Sequence, residues 1–176
     1  MIYKVTRIFF IPVLTLLLGQ PMIGQNMILN PSFEKHNSCP VNITAFDALL
    51  EDVSIPSSSS GDYFHECGSS DFGVPANFKG SQKATDGAGY VGLYFYALND
   101  YREYVQLNTS RILRKKHPYK LSLQVSLAET SSLALKNVSV MLVNKKIKLP
   151  NSSALTTSRL DFQEDVVFQE VKLKPN

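Results

Sequence analysis

Short runs in which apolar and polar residues alternate constrain the fold of this chain more than any other feature. In the clearest run, residues 121–127, every second residue is apolar: Leu121, Leu123, Val125 and Leu127. Successive side chains of a strand point to opposite faces of the sheet, so this run predicts a half-buried strand. All four apolar side chains are expected in the core, with the intervening polar residues more exposed.

Further runs of this kind are separated by clusters of Gly, Pro, Asn and Ser. Strands are expected at residues 90–97, 101–107, 138–143 and 166–173. Several short strands with frequent turn signals indicate an all-β sandwich or barrel. One stretch departs from this pattern, because residues 45–53 are apolar and acidic with helical spacing. A short helix is expected there, with Thr44 and Asp47 placed to cap its start.

The first 25 residues have the three-part pattern of a secretory signal peptide. Lys4 and Arg7 precede an apolar run of about 11 residues, and Gly and Pro residues follow it. This run is shorter than the roughly 20 residues that span a bilayer, so a cleaved signal is expected. Cleavage is expected after Gln25, with Gly24 as the alternative. Residues 26–176 would then form one exported domain, located in the periplasm, on the outer-membrane surface or outside the cell.

The charge of the mature chain argues against a nucleic acid partner. The signal contains two of the 18 basic residues and none of the 15 acidic ones, which lowers the net charge from +3 to about +1. Nucleic acid binding depends on neutralising phosphates with Lys and Arg, and a nearly neutral domain is poorly suited to it.

Two cysteines, Cys39 and Cys67, are the only ones in the chain. An even number of cysteines in an exported protein predicts a disulfide. The alternative is a metal site that uses Cys67 with His65 and His36. Tetrahedral metal sites normally need four ligands with recognisable spacing, and the sequence shows no such set. The disulfide is therefore the expected state.

A series of short motifs covers most of residues 26–145. They are NPSFE at 30–34, SCP at 38–40, DYFHEC at 62–67, VPANFKG at 74–80, GAGYVG at 87–92, YREYVQ at 101–106 and SLAETS at 126–131. In this order they resemble an exported module of Gram-negative bacteria that often precedes a peptidoglycan-binding domain of the outer-membrane protein A type. The plan of that module is similar to galactose-binding-like jelly rolls, including several carbohydrate-binding modules.

This resemblance implies a jelly-roll β-sandwich whose first strand lies at the NPSFE opening. The chain departs from the family in two ways. It contains no tryptophan, whereas the family usually has one shortly after the first cysteine. Family members also continue with closing strands beyond the one expected at 166–173. The chain is therefore expected to be either a shortened copy or a sandwich that closes in an unusual way. A missing strand would leave an open sheet edge through which the chain self-associates.

The candidate ligand-binding residues are three tyrosines and one arginine. Tyr90, Tyr94 and Tyr96 are expected on one face of a strand, where their rings would stack on a sugar. The alternative is that these rings pack in the core. Arg102 is a further candidate contact, and it points to the opposite face from its neighbour Glu103. Either residue would contact a ligand or hold a loop in place.

A structural calcium ion is the one cofactor that the resemblance suggests. In similar jelly rolls a glutamate after the first strand helps to hold calcium, and Glu34 has that position here. Calcium needs 6 to 8 oxygen ligands, and an aspartate of the closing strand would normally supply one of them. No other cofactor is expected.

No motif points to catalysis. A glycosidase needs two carboxylates at a defined separation, and the pair of Glu103 and Glu129 is of a kind found by chance in many chains. Neither a nucleophile elbow, a zinc-protease helix nor a phosphate-binding loop is present. The sequence therefore predicts a non-catalytic module that binds a glycan or a cell-envelope component. The alternative is a structural or adhesive domain with a protein partner.

Overall fold

The computed structural model describes residues 25–152 and 154–155, together with the backbone of residues 167–172. Within these residues the chain forms eight short strands and two 3₁₀ helices. The helices are Phe46–Ala48 and Leu98–Asp100. The strands are Val53–Ser54 (β1), Asp62–His65 (β2), Ala76–Asn77 (β3), Gly80–Ser81 (β4), Gly89–Gly92 (β5), Gln106–Leu107 (β6), Asn137–Leu142 (β7) and Val167–Lys172 (β8).

The strands pair in four antiparallel, two-stranded sheets. These are β1 with β6, β2 with β5, β3 with β4, and β7 with β8. The chain is therefore all-β, as the sequence predicts, with little helix. The finer assignment to a jelly-roll sandwich stays a prediction, because each sheet in the described part of the chain has two strands.

The main core surrounds the first 3₁₀ helix. Five buried residues form it: Phe46, Leu50, Val53, Ile55 and Tyr63. The Tyr63 hydroxyl lies among these apolar groups and donates a 2.8 Å hydrogen bond to the carbonyl oxygen of Phe33. Burial raises the pKa of Tyr63 above its ordinary value. This hydrogen bond satisfies the one polar group that the ring brings into the core.

A second, aromatic cluster lies on the opposite side of β2. Its members are Phe64, Phe72, Phe78 and Tyr90, whose ring centroids are 5.3–6.0 Å apart in the contacting pairs. Side chains alternate along a strand, so Tyr63 enters the first cluster while Phe64 enters the second. Strand β2 is consequently buried on both faces.

The prediction of a strand at residues 121–127 is wrong. These residues have no regular secondary structure, and their four apolar side chains are 42–54% exposed. Alternation assigns residues to a common face, but a strand also needs a partner for its backbone and a surface for its apolar side. The described part of the chain offers neither to this segment.

Other expectations are met in part. The helix expected at 45–53 is a single 3₁₀ turn, and β1 begins at Val53. Ala45 precedes the turn without a side-chain cap, while Thr44 donates a hydrogen bond to Asn42 instead. β5 and β6 overlap the strands expected at 90–97 and 101–107 but are shorter than expected. β5 ends at Gly92 and β6 begins at Gln106. The strands expected at 138–143 and 166–173 correspond to β7 and β8.

The NPSFE opening forms a turn in place of a first strand. Ile28 makes an isolated bridge to Thr109, and the chain then turns at Asn30, whose φ is 52°. Asparagine tolerates this left-handed conformation better than most residues. Its buried side chain donates to the carbonyl oxygens of Lys35 (2.9 Å) and Glu51 (2.8 Å) and accepts from the Lys35 amide.

The signal peptide expected at the start of the chain falls on residues 1–24, which lie outside the described residues, and on Gln25. At the other end, β8 has β7 as its one partner strand within the described part of the chain. The division into a signal and one domain at 26–176 stays a prediction.

Candidate functional site

A cavity of about 200 Å³ opens beside the N-terminal end of β2. It is lined by Ile43, Ser60, Asp62, Phe78, Lys79, Tyr94, Tyr101 and Glu103. The strand period explains part of this set, because Asp62 and Phe64 share one face of β2. Phe64 packs against Phe78 with ring centroids 5.6 Å apart, which brings the 78–79 turn to the same side as the Asp62 carboxylate.

Glu103 holds the far wall of this cavity together. The residue is 2% exposed, and both carboxylate oxygens accept hydrogen bonds. The amide of Tyr94 donates at 2.7 Å and the hydroxyl of Tyr101 at 2.8 Å. The Glu103 amide donates in turn to the carbonyl oxygen of Tyr94 at 2.9 Å. Glu103 therefore fixes the positions of two tyrosines that line the cavity.

Asp62 is the unsatisfied acceptor of the site. It is 8% exposed, and its carboxylate accepts no hydrogen bond from any described residue. Its backbone is held firmly, since Asp62 pairs with Gly92 in the β2–β5 sheet. A buried carboxylate with open acceptor positions in a cavity is suited to receive hydrogen bonds from a ligand.

Both carboxyl groups have raised pKa values. Burial raises the pKa of Asp62, and the charge of Lys79 opposes that effect. Burial also raises the pKa of Glu103, against its two hydrogen bonds, while the negative charge of Asp62 adds to the rise. Burial therefore disfavours the charged form of both groups, and a ligand that donates hydrogen bonds to Asp62 would offset that cost.

Lys79 supplies the positive charge of the cavity. It lies in the turn between β3 and β4, where its amide donates to the Asn77 side chain at 3.0 Å. Its ammonium group donates to the Tyr94 hydroxyl. The same group lies 4.5 Å from the ring centroid of Phe78, close enough for a cation–π contact. Lys79 thus holds the Tyr94 ring at the mouth of the cavity.

The three predicted tyrosines do not form one row. β5 ends at Gly92, so Tyr90 lies in the strand while Tyr94 and Tyr96 follow it. Tyr90 packs on Phe64 and accepts a 2.7 Å hydrogen bond from Asn77, as the core alternative anticipated. Burial raises the pKa of Tyr90. Tyr94 lines the cavity, and Tyr96 is 62% exposed and lies outside it.

Arg102 holds its own loop. Its guanidinium donates to the carbonyl oxygens of Tyr101 (2.7 Å) and Ala97 (3.4 Å) and lies 3.6 Å from the Asp100 carboxylate. The guanidinium carbon also lies 4.8 Å from the ring centroid of Tyr96. A role of Arg102 or Tyr96 in ligand binding stays a prediction.

Glu34 also holds a loop in place. One carboxylate oxygen accepts hydrogen bonds from the amides of Ala88 (2.8 Å) and Gly89 (3.1 Å). The other lies 3.9 Å from the imidazole Nε2 of His65. Gly87 has a φ of 72°, and a Cβ atom there would lie 2.4 Å from the Glu34 carboxyl carbon. Calcium binding by Glu34 stays a prediction.

The predicted disulfide is confirmed. Cys39 and Cys67 are bonded, with Cα atoms 5.6 Å apart. The bond closes a loop that contains the first 3₁₀ helix, β1 and β2. A disulfide is compatible with an oxidising, exported location. None of the helices in the described ranges reaches the length and apolarity that crossing a bilayer requires.

The sequence patterns missed the two central residues of the cavity. Asp62 and Lys79 lie within the motifs at 62–67 and 74–80, but the sequence alone predicts no role for them. One sequence signal could have identified Asp62, because it lies directly before Tyr63 and Phe64 at the start of a strand. Acidic residues seldom enter buried strands without a reason.

Comparison of the chain with protein-family models, with curated proteins and with solved structures finds no match. The resemblance to the module of Gram-negative bacteria therefore stays a prediction that depends on the motifs alone.

Proposed function

We propose that this chain is an exported, non-catalytic binding module of the jelly-roll type, and that its cavity binds a sugar unit of a glycan or of another cell-envelope component. The observation that carries the proposal is the buried carboxylate of Asp62, which has open acceptor positions in a cavity bordered by the Tyr94 ring. Sugar hydroxyls donate hydrogen bonds to such a carboxylate, and the apolar face of a sugar packs on an aromatic ring.

The size of the cavity favours a small ligand group. Pockets for drug-sized ligands have volumes of about 300–1,000 Å³. The present cavity of about 200 Å³ is smaller and suits one sugar unit of a longer chain. Lys79 adds a cationic donor for the hydroxyl or ring oxygens of that unit.

The roles of the two carboxylates favour binding over catalysis. Hydrolysis of a glycosidic bond needs two carboxyl groups that act on the substrate. Both oxygens of Glu103 are engaged by Tyr94 and Tyr101, whereas Asp62 is free to contact a ligand. Glu129, the other carboxylate of the chance pair, accepts a hydrogen bond from the Ser81 amide and does not line the cavity.

A glycan array tests this proposal. We expect the mature protein to bind a defined set of glycans, and Asp62→Asn and Tyr94→Ala each to weaken that binding about tenfold or more. Tyr119→Ala is the matched control, because Tyr119 and Tyr94 are both 45% exposed and Tyr119 lies outside the cavity. An array without binding, or equal losses for Tyr94→Ala and Tyr119→Ala, would contradict the proposal.

A second candidate function is a structural or adhesive role in which the partner is another copy of this chain. The exposed apolar side chains of residues 121–127 support it, because such surfaces are usually covered by a partner. β8 also leaves one edge without a partner strand in the described ranges. Light scattering should then show oligomers that Leu123→Lys dissociates and Ser122→Lys leaves intact. A monomer at all concentrations would exclude this role.

A further inference from the structure

Two histidines converge on the disulfide. The rings of His36 and His65 lie edge to face, with centroids 4.6 Å apart. One potential ligand atom from each of His36, His65 and Cys67 lies within 4.8 Å of the other two. Cys39 is bonded to Cys67 and brings a second sulfur to the same place. Two imidazoles and the Cys67 sulfur thus meet within a space close to that of a tetrahedral metal site, and the bonded Cys39 sulfur adjoins them.

One of these imidazoles has an unused nitrogen. The Nδ1 atom of His36 is buried and has no hydrogen-bond partner among the described residues. Buried polar atoms are nearly always partnered, so an orphaned nitrogen on a residue of this cluster calls for an explanation. A metal ion would use its lone pair directly.

His65 has the surroundings of a metal ligand. The Cys67 amide donates to its Nδ1 at 3.0 Å, and its Nε2 lies 3.9 Å from a Glu34 carboxylate oxygen. Metal-binding histidines commonly have a carboxylate near the second ring nitrogen, which orients the ring and strengthens the ligand. Coordination by Nδ1 would replace the single hydrogen bond from Cys67.

We propose that reduction of the disulfide converts this cluster into a zinc site formed by His36, Cys39, His65 and Cys67. Zinc binds Cys₂His₂ sets tetrahedrally, at about 2.3 Å from sulfur and about 2.0–2.1 Å from nitrogen. The sulfurs, bonded at 2.10 Å in the disulfide, would separate to roughly 3.8 Å at a tetrahedral angle. The intact disulfide has no thiolate to offer, so the metal-binding form belongs to reducing conditions.

A dithiol supplies the electrons for this conversion. Its thiolate attacks the exposed Cys67 sulfur, the S–S bond breaks, and the electron pair leaves on the Cys39 sulfur, which takes up a proton. The second thiol of the reductant then displaces Cys67 and the reductant departs as a cyclic disulfide. Zinc finally binds both cysteines as thiolates, and their two protons pass to water.

Anaerobic titration with Co²⁺, a spectroscopic substitute for Zn²⁺, tests the site. The protein is reduced, freed of reductant and titrated. We expect one equivalent to give thiolate-to-cobalt charge-transfer bands and tetrahedral visible bands that Zn²⁺ abolishes. The oxidised protein should give neither. His36→Ala and His65→Ala should each weaken Zn²⁺ binding about tenfold or more, while His117→Ala, the third and exposed histidine, should bind as the wild type does.

Circular dichroism on the same samples separates binding from loss of fold. The reduced wild type should melt at a higher temperature with Zn²⁺ than without it, and His36→Ala should lose this increase. A reduced wild type without the cobalt bands would overturn the proposal, whether or not it is folded. Equal affinities of the His36→Ala, His65→Ala and His117→Ala variants would also overturn it, because the cysteines alone would then explain the binding.

Discussion

Strand β2 and residues 121–127 both contain large apolar side chains, but the surroundings of these side chains are opposite. In β2, Tyr63 and Phe64 are each 1% exposed and enter clusters on opposite faces. In residues 121–127 every residue is exposed, and across residues 111–136 only Leu113 and Leu135 are even half-buried. The difference lies in what surrounds each segment and not in its own apolar content.

The comparison teaches that alternation of apolar and polar residues is neither required nor sufficient for a buried strand. β2 has a partner in β5, a disulfide two residues beyond its end, and an aromatic cluster on one side. These neighbours satisfy its backbone and exclude water from its side chains. Residues 121–127 have no such neighbours in the described part of the chain.

Truncations of large apolar side chains should show the greatest difference between the two regions. Phe46 is 0% exposed, and Phe46→Ala should cost about 3–5 kcal/mol of unfolding free energy because it leaves a cavity in the main core. Leu123 is 42% exposed, and Leu123→Ala should change that free energy by less than about 0.5 kcal/mol. Urea unfolding of both variants measures this contrast, and similar losses would contradict it.

Removal of the disulfide should have the next largest effect. The bridge joins residues 28 apart in sequence, so the chain-entropy relation gives about 3–4 kcal/mol for its loss. The double variant Cys39→Ser, Cys67→Ser should therefore unfold at lower urea concentration in the presence of a chelator. Ser38→Ala, next to the bridge, is the control. An unchanged midpoint would mean that this region is stable without its covalent link.

A smaller loss is expected where Glu34 meets the loop before β5. Gly87→Ala should cost about 1–2 kcal/mol, because the residue is left-handed and its new Cβ would collide with the Glu34 carboxyl. In a Glu34→Ala background the collision is absent, so the same substitution should cost less. A double-mutant cycle by urea unfolding measures this coupling, and additive losses would show that the contact is unimportant.

The smallest effect concerns pH. Burial raises the pKa of the Asp62 carboxyl in the folded state, so the folded protein binds a proton more tightly there than the unfolded chain does. The contribution of Asp62 to stability is therefore greatest at low pH. It falls as pH rises from the ordinary carboxyl range through the raised folded pKa, and it is constant above that value. Glu103 contributes with the same sign.

Asp62→Asn should flatten this dependence and stabilise the protein at neutral pH relative to the wild type. Asp71→Asn, at an exposed position outside the cavity, is the control substitution. Urea unfolding at a series of pH values compares the three proteins. The expectation fails if the slope of stability against pH is the same in wild type and Asp62→Asn.

The parts of the fold that could be predicted are those that depend on local pattern or on compartment. The all-β class followed from alternation and turn residues, and the Cys39–Cys67 bond followed from an even cysteine count in a chain expected to be exported. β7 and β8 lie where alternation placed them. The helix predicted at 45–53 is one turn long in the structure. Val53 instead pairs with Leu107 in a sheet, and this contact joins residues that are distant in sequence.

The candidate site was less predictable because it depends on such distant contacts. Glu103 and Tyr94 form one wall through hydrogen bonds between separate loops, and Lys79 reaches Tyr94 from the β3–β4 turn. The alternation at 90–97 predicts that the rings of Tyr90, Tyr94 and Tyr96 form one row. Because β5 ends at Gly92, Tyr90 lies in the strand and Tyr94 and Tyr96 follow it. No residue pattern at 90–97 predicts that end.

Hydrogen–deuterium exchange with peptide-level mass spectrometry tests the division of the molecule most directly. The amides of β2 and β5 pair with each other beside two buried clusters, so they should exchange slowly. The amides of residues 121–127 should exchange at the rate of an unstructured peptide in the monomer. Protection of residues 121–127 as strong as that of β2 would contradict the account, since it would show that this segment is a buried strand after all.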